Sequence, residues 1–227
     1  MGGWLGLWSL ADARPPPSLP AFAARYGDAV LRVEPGRGDA PAGFLIATVG
    51  YAVTALPGAA EGDPLTVVLA SGERRPAVVV RAEPAGLAIL ALAAREPGEL
   101  FPSLPLAPAP APDPKAWLLG LCASEAGFVP VLGGSRGLDD EGRWRLDLPC
   151  GKGAPVLDEA GRVVAITVAP RGVRAAVGAG AERVRRLAAG LPEDPAQAVR
   201  AAVRAGAKAP PAPRAAPPAA ARGEAAP

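Results

Sequence analysis

The sequence predicts an all-β protein made of two six-stranded antiparallel barrels, with a C-terminal helix and a disordered tail. Three observations carry that expectation. The 227 residues include 28 Gly and 29 Pro, which favours short strands and turns over long helices. Half of the residues are hydrophobic but only 4% are aromatic, so the core is Val, Leu, Ala and Ile. The β-prone runs fall into two sets of about six, separated by the Pro-rich stretch FPSLPLAPAPAPDP at 101–114.

Residues 1–17 form a leader that ends at Pro15-Pro16-Pro17. GWLGLWSL before Ala11-Asp12-Ala13 reads either as a short signal segment with an A-x-A site or as a Trp-bearing extension. The first reading implies a periplasmic or secreted protein and the second a cytoplasmic one. The N-terminal barrel takes 18–104. Ser18 is the expected N-cap of a short helix with Leu19, Phe22 and Ala23 on one face. Six runs follow: AVLRV, GFLIATVG, YAVTAL, LTVVLA, PAVVVRA and LAILAL, with turns at Gly36-Arg37-Gly38-Asp39, Val49-Gly50 and Ser71-Gly72. Residues 105–114 read as a semi-rigid extended linker. The C-terminal barrel takes 115–192, with AWLLGL, GFVPVLGG, RWRLDL, APVLD, RVVAITV and VRAAVG as strands. GAERVRRLAAGL closes it as a helix with Val184, Leu187 and Leu191 on the buried stripe. Asp194-Pro195 caps a further helix within 193–207, and the Ala/Pro sequence of 208–227 reads as disordered.

Composition also narrows the chemistry. The chain has no histidine, which removes the usual general base, metal ligand and pH switch together. Two cysteines, Cys122 and Cys150, cannot build a four-ligand zinc site, and the expectation is no metal and no cofactor. No apolar run reaches the roughly 18 residues of a spanning helix. A net charge of +2 gives little reason to expect nucleic acid as a partner.

The most distinctive stretch is LPCGKGAPVLDEAGRVVAI, 148–166. Gly151 and Gly153 flank Lys152 in a cramped turn that displays the lysine. Pro155-Val156-Leu157 and Val163-Val164-Ala165-Ile166 then read as a hairpin across Asp158-Glu159-Ala160-Gly161. Together with GFLIATVGYAVTALPGAAEGD, LTVVLASGERRPAVVVRAEPAGLAILAL and AVGAGAERVRRLAAGL, this stretch resembles the trypsin-like serine proteases of the bacterial high-temperature-requirement (Deg) type. The resemblance covers about 19–191 and lacks the PDZ domains that often follow. It implies the trypsin-like (chymotrypsin) double barrel.

Carried over position by position, the family's catalytic His falls on Pro57, its Asp on Gly86 and its Ser on Lys152, where the family reads Gly-Asn-Ser-Gly-Gly-Pro. A triad needs a nucleophile, a base and a carboxylate that orients the base, so the resemblance implies a pseudoprotease. The oxyanion-hole donors fall on the N–H groups of Cys150 and Lys152. Cys150, Gly151, Lys152 and Gly153 then form either a nest for an anion such as a peptide carboxylate or a turn that the glycines merely complete. In trypsin-like folds the strand ending at Cys122 passes near this loop. The resemblance therefore brings Cys122 and Cys150 together, as a disulfide or as two half-buried thiols.

The expected role is non-catalytic, either binding a peptide or protein or scaffolding an assembly. One alternative is a hydrolase with a displaced nucleophile, for which Ser124 and Ser135 are candidates beside a lysine base. GGSRG at 133–137 matches the G-x-S-x-G elbow only by chance, since a hairpin turn rather than a helix follows it. The other alternative is a basic module for nucleic acid or envelope polymer, built on Arg183, Arg185, Arg186, Arg200 and Arg204.

Overall fold

The computed structural model describes residues 18–34, 40–94, 96–108, 116–124, 127–170 and 175–206. The leader at 1–17, the turn at 36–39, the stretch 109–114 and the tail from 208 lie outside the described residues.

The first six runs form strands β1 Val30–Glu34, β2 Ala42–Ala47, β3 Tyr51–Ala55, β4 Pro64–Leu69, β5 Arg74–Ala82 and β6 Leu87–Leu92. They close into a barrel in the order β1-β2-β3-β6-β5-β4, every pair antiparallel. Strand β6 is apolar and buried at all six positions, and the two-residue period explains why. Ala88, Leu90 and Leu92 fill the barrel with Leu31, Val33 and Leu45. Leu87, Ile89 and Ala91 face the other way, into a core shared with the second barrel.

The second sheet contains β7 Leu118–Ser124, β8 Gly127–Gly133, β9 Ser135–Leu138, β10 Trp144–Leu146, β11 Pro155–Leu157, β12 Val163–Pro170 and β13 Ala176–Gly180. Their order is β8-β7-β11-β12-β13-β10-β9, a curled sheet of seven strands where six closed ones were expected. The extra strand is β9, whose sequence SRGL is half exposed and has no apolar run. Its strand geometry comes from pairing with β10 (Trp144↔Leu138, Leu146↔Ser135) across a turn held by Asp139 and Arg143. Closure fails between β8 and β9 at Gly133. A Cβ there would lie 2.2 Å from the Asp147 carbonyl oxygen and 2.6 Å from Leu148 Cδ2, so the continuation of β10 fills that corner.

The start of the Pro-rich stretch is extended, as expected, but it is docked rather than free. Phe101, Leu104 and Ala107 are buried, which is the three-residue period of polyproline II. The N–H groups of Phe101 and Leu104 donate to Thr48 and Leu45 on the first barrel. Leu106 bridges Val163 in parallel, and the Ala107 N–H donates to the Val163 carbonyl. This strap is stitched to both bodies.

Helix α1 Leu19–Tyr26 buries Phe22 and packs on β8; Ser18 stands at its N-cap without a side-chain capping bond. Helix α2 Ala181–Ala188 buries Val184, with Leu187 and Leu191 packed on the shared core. The Arg81 guanidinium donates to the Leu187 and Ala189 carbonyls (3.2 and 2.8 Å), capping the C-terminus of α2 from the first barrel. Helix α3 Pro195–Gly206 begins at Asp194, whose Oδ1 accepts the Ala196 N–H at 2.9 Å, and it buries Ala198 and Ala202 beside β5 and β6. Among the described residues no helix is long and apolar enough to cross a membrane.

Phe44 belongs to the shared core and is fully buried, together with Ile89, Leu119, Leu121 and Ile166. Phe44→Ala should destabilise the protein by about 3–5 kcal/mol, read as a lower midpoint in urea with an unchanged m-value. A loss below about 1 kcal/mol would mean that the barrels do not share this core in solution.

Candidate functional site

The turn that displays Lys152 is fixed from two sides. From the second sheet, Thr167 on β12 is buried and its Oγ1 donates to the Gly151 carbonyl at 2.5 Å and accepts the Ala154 N–H at 2.9 Å. The Gly153 N–H donates to the Thr167 carbonyl at 2.7 Å. From the first barrel, the Ala42 N–H at the start of β2 donates to the Lys152 carbonyl at 2.8 Å. Thr54 on β3, also buried, donates from Oγ1 to the Ala42 carbonyl at 2.6 Å.

Gly153 lies where these restraints meet. Its φ is +80°, and a Cβ would stand 1.8 Å from the Ala42 oxygen. Only glycine fits there. The Lys152 side chain is exposed. Among the described residues neither the Lys152 ammonium nor the N–H groups of Cys150, Gly151 and Lys152 meet a partner.

Pro57 and Gly86 lie next to each other. Pro57 is exposed in the turn after β3, and Gly86 is buried just ahead of β6 with φ +91°. A Cβ on Gly86 would lie 3.2 Å from Pro57 Cγ, and the Gly86 carbonyl accepts the Leu56 N–H at 2.7 Å. Lys152 is linked to this pair through two hydrogen bonds and the end of β3. Its carbonyl holds Ala42, whose own carbonyl holds Thr54, three residues ahead of Pro57.

Cys122 and Cys150 are joined in a disulfide with Cα atoms 4.9 Å apart. The bond lies over Gly120, where a Cβ would approach the Cys150 sulfur to 2.6 Å. Gly120 is therefore part of the device, and sequence reasoning missed it. Thr167 was missed as well, although a single hydroxyl residue inside the apolar run VVAITV was its signal.

The other candidates lie elsewhere. Ser124 Oγ donates to the Gly127 carbonyl at 3.1 Å inside the β7–β8 hairpin, and Ser135 Oγ accepts the Gly137 N–H at 3.0 Å on β9. Neither has a bond to Lys152. The five arginines have local partners: Arg183 pairs with Glu83, Arg185 and Arg186 with Glu182, and Arg200 with Asp194, while Arg204 donates to the Arg200 carbonyl. Among the described residues no cluster of His, Cys, Asp or Glu could hold a metal ion.

The sequence model of the family described as "Trypsin-like peptidase domain" matches residues 41–166, more than half of the chain. Among solved structures, the serine endoprotease from Yersinia pestis is similar in fold, with a TM-score of 0.62 at 15% identity. The match covers 85% of this chain and 69% of that one. No curated protein sequence matches this chain.

The crosslink spans 28 residues, and in the loop-entropy model it restricts the unfolded chain by roughly 3–4 kcal/mol. The doubly substituted Cys122→Ser, Cys150→Ser protein should lose about that much in urea titrations. Alkylation of the native protein without reductant should add no mass. Addition of two alkyl groups would show that the sulfurs are not bonded in solution.

Proposed function

This chain belongs to the trypsin-like peptidase domain family, and from that premise we propose that it binds or scaffolds a peptide or protein without hydrolysing it. The observation that carries the reading is the set of residues at the three positions brought over by the resemblance. Pro57 has no group to accept a proton, Gly86 has no carboxylate, and Lys152 presents an ammonium where the nucleophile belongs. No histidine elsewhere in the chain is available to take over the role.

The backbone supports the same reading. At φ +91° and 3.2 Å from Pro57 by its would-be Cβ, position 86 suits glycine and disfavours an aspartate. The turn at 150–153 keeps donors that a hydrolase would aim at an oxyanion, now beside a cation. That combination suits a ground-state carboxylate on a bound peptide, held by charge-assisted hydrogen bonds. Against a displaced nucleophile stand the separate hydrogen bonds of Ser124 and Ser135. Against a nucleic-acid module stands the local pairing of the arginines on α2 and α3.

Purified protein should melt cooperatively, remain unlabelled by a fluorophosphonate probe, and turn over neither casein nor peptide esters. Turnover that vanishes in Lys152→Ala would overturn the proposal and assign Lys152 a base role. Lys152→Glu should weaken binding of peptides with a free C-terminal carboxylate while moving stability by about 0.5 kcal/mol or less.

A further inference from the structure

A second feature lies on the same seam, beyond the turn at Lys152. The β4–β5 turn of the first barrel and the β7–β8 hairpin of the second border an open cavity of about 280 Å³. Arg32, Val68, Leu69, Ser71, Ser124 and Phe128 are among its lining residues. Among the described residues Arg32 is the only charged one in that lining. It is half-buried on β1, and among the described residues its guanidinium has no carboxylate and no acceptor.

Among the described residues, the acids close to the lining in sequence pair with other cations. Glu34, two residues along the same strand, takes Arg74, and Glu73 takes Arg75. The hydroxyls add polarity of the same kind. Ser71 Oγ already accepts the Glu73 N–H, which leaves its O–H free to donate. The cavity thus offers a guanidinium and a hydroxyl donor above an apolar floor of Val68, Leu69 and Phe128.

We propose that this cavity binds the side-chain carboxylate of an acidic residue in a peptide lying along the seam between the barrels. Donors without acceptors call for an anion, and a guanidinium matches a carboxylate two-pronged. A bare inorganic ion would leave the apolar floor wet and most of the volume empty, since a water occupies only about 30 Å³. The methylenes of a Glu side chain cover that floor while its carboxylate meets Arg32.

The location suits a peptide that touches both sites. Arg32 pairs across the ladder with Ala42, the residue that holds the Lys152 carbonyl. Ala123 and Ser124, in the cavity wall, directly follow the disulfide-bonded Cys122. This site goes beyond the reading of the turn at 150–153 and does not require that turn to be inactive.

The test uses the whole protein and fluorophore-tagged acetyl-Ala-Val-Glu-Leu-Ala-amide, followed by anisotropy, with intact peptide checked by mass after each titration. The Glu peptide should bind, its Gln counterpart about tenfold or more weaker, and affinity should fall with salt. Arg32→Gln should cost about ten- to hundredfold for the Glu peptide. Arg32→Lys should recover part of that loss, and Arg200→Gln should bind as the parent does. A free-C-terminal peptide without acidic side chains should respond to Lys152→Glu and not to Arg32→Gln. Equal affinity for the Glu and Gln peptides, or an unchanged affinity in Arg32→Gln, overturns the site. Binding of inorganic phosphate to Arg32 without binding of the peptide overturns it too. Cleaved peptide would instead count against the non-catalytic reading and leave the Arg32 result to stand on its own.

Discussion

The contact between Gly153 and Ala42 is the constraint on which the rest of the seam depends. Backbone meets backbone there with no space for a methyl group, and the two barrels are joined by main-chain and threonine hydrogen bonds. Because Thr54 and Thr167 are buried, each of their bonds is expensive to lose, since an unsatisfied buried hydroxyl or amide costs about 1–3 kcal/mol. The turn at 150–153 therefore keeps its shape without help from the side chains it displays.

The disulfide completes the arrangement from the other side. It ties the first residue of the turn to β7, the strand whose end forms one wall of the Arg32 cavity. Two cationic positions thus share one frame: one exposed at the turn, one half-buried between the barrels. Neighbouring arginines on the helices differ in kind, since glutamates, aspartates and carbonyls already occupy them. The sum of charges over the chain says nothing of this; the pairing does.

Much of the fold could be read from the residues because burial and period agreed. LAILAL, with both faces buried, read as a strand because the run was short and bounded by turns, and the hairpin after Pro155 was signalled by its Asp-to-Gly turn. Val184 and Leu187 identified the closing helix through their spacing. Strand β9 was not legible, since SRGL forms a strand only through its partner and its own hydropathy gives no period. The glycines that make contacts, Gly120 and Gly153, were equally silent about what lies above them. A sequence shows that a glycine is present but not which sulfur or carbonyl requires it. Nothing in the run AVLRV singles out Arg32, and only the packing of a second body against that face makes it a cavity wall.

The strap at 101–108 has a further consequence for how the molecule behaves in a crowd. Its inward residues recur at Phe101, Leu104 and Ala107, and the positions between them place Pro102, Pro105 and Pro108 outward, all three exposed. Proline has no N–H, so the outward side of this extended segment has no regular row of donors for a passing strand to pair with. An extended, apolar segment on a protein surface would otherwise invite edge-to-edge association and growth into aggregates. Here the same three-residue repeat that seats the strap against both barrels also makes its outer face a poor template.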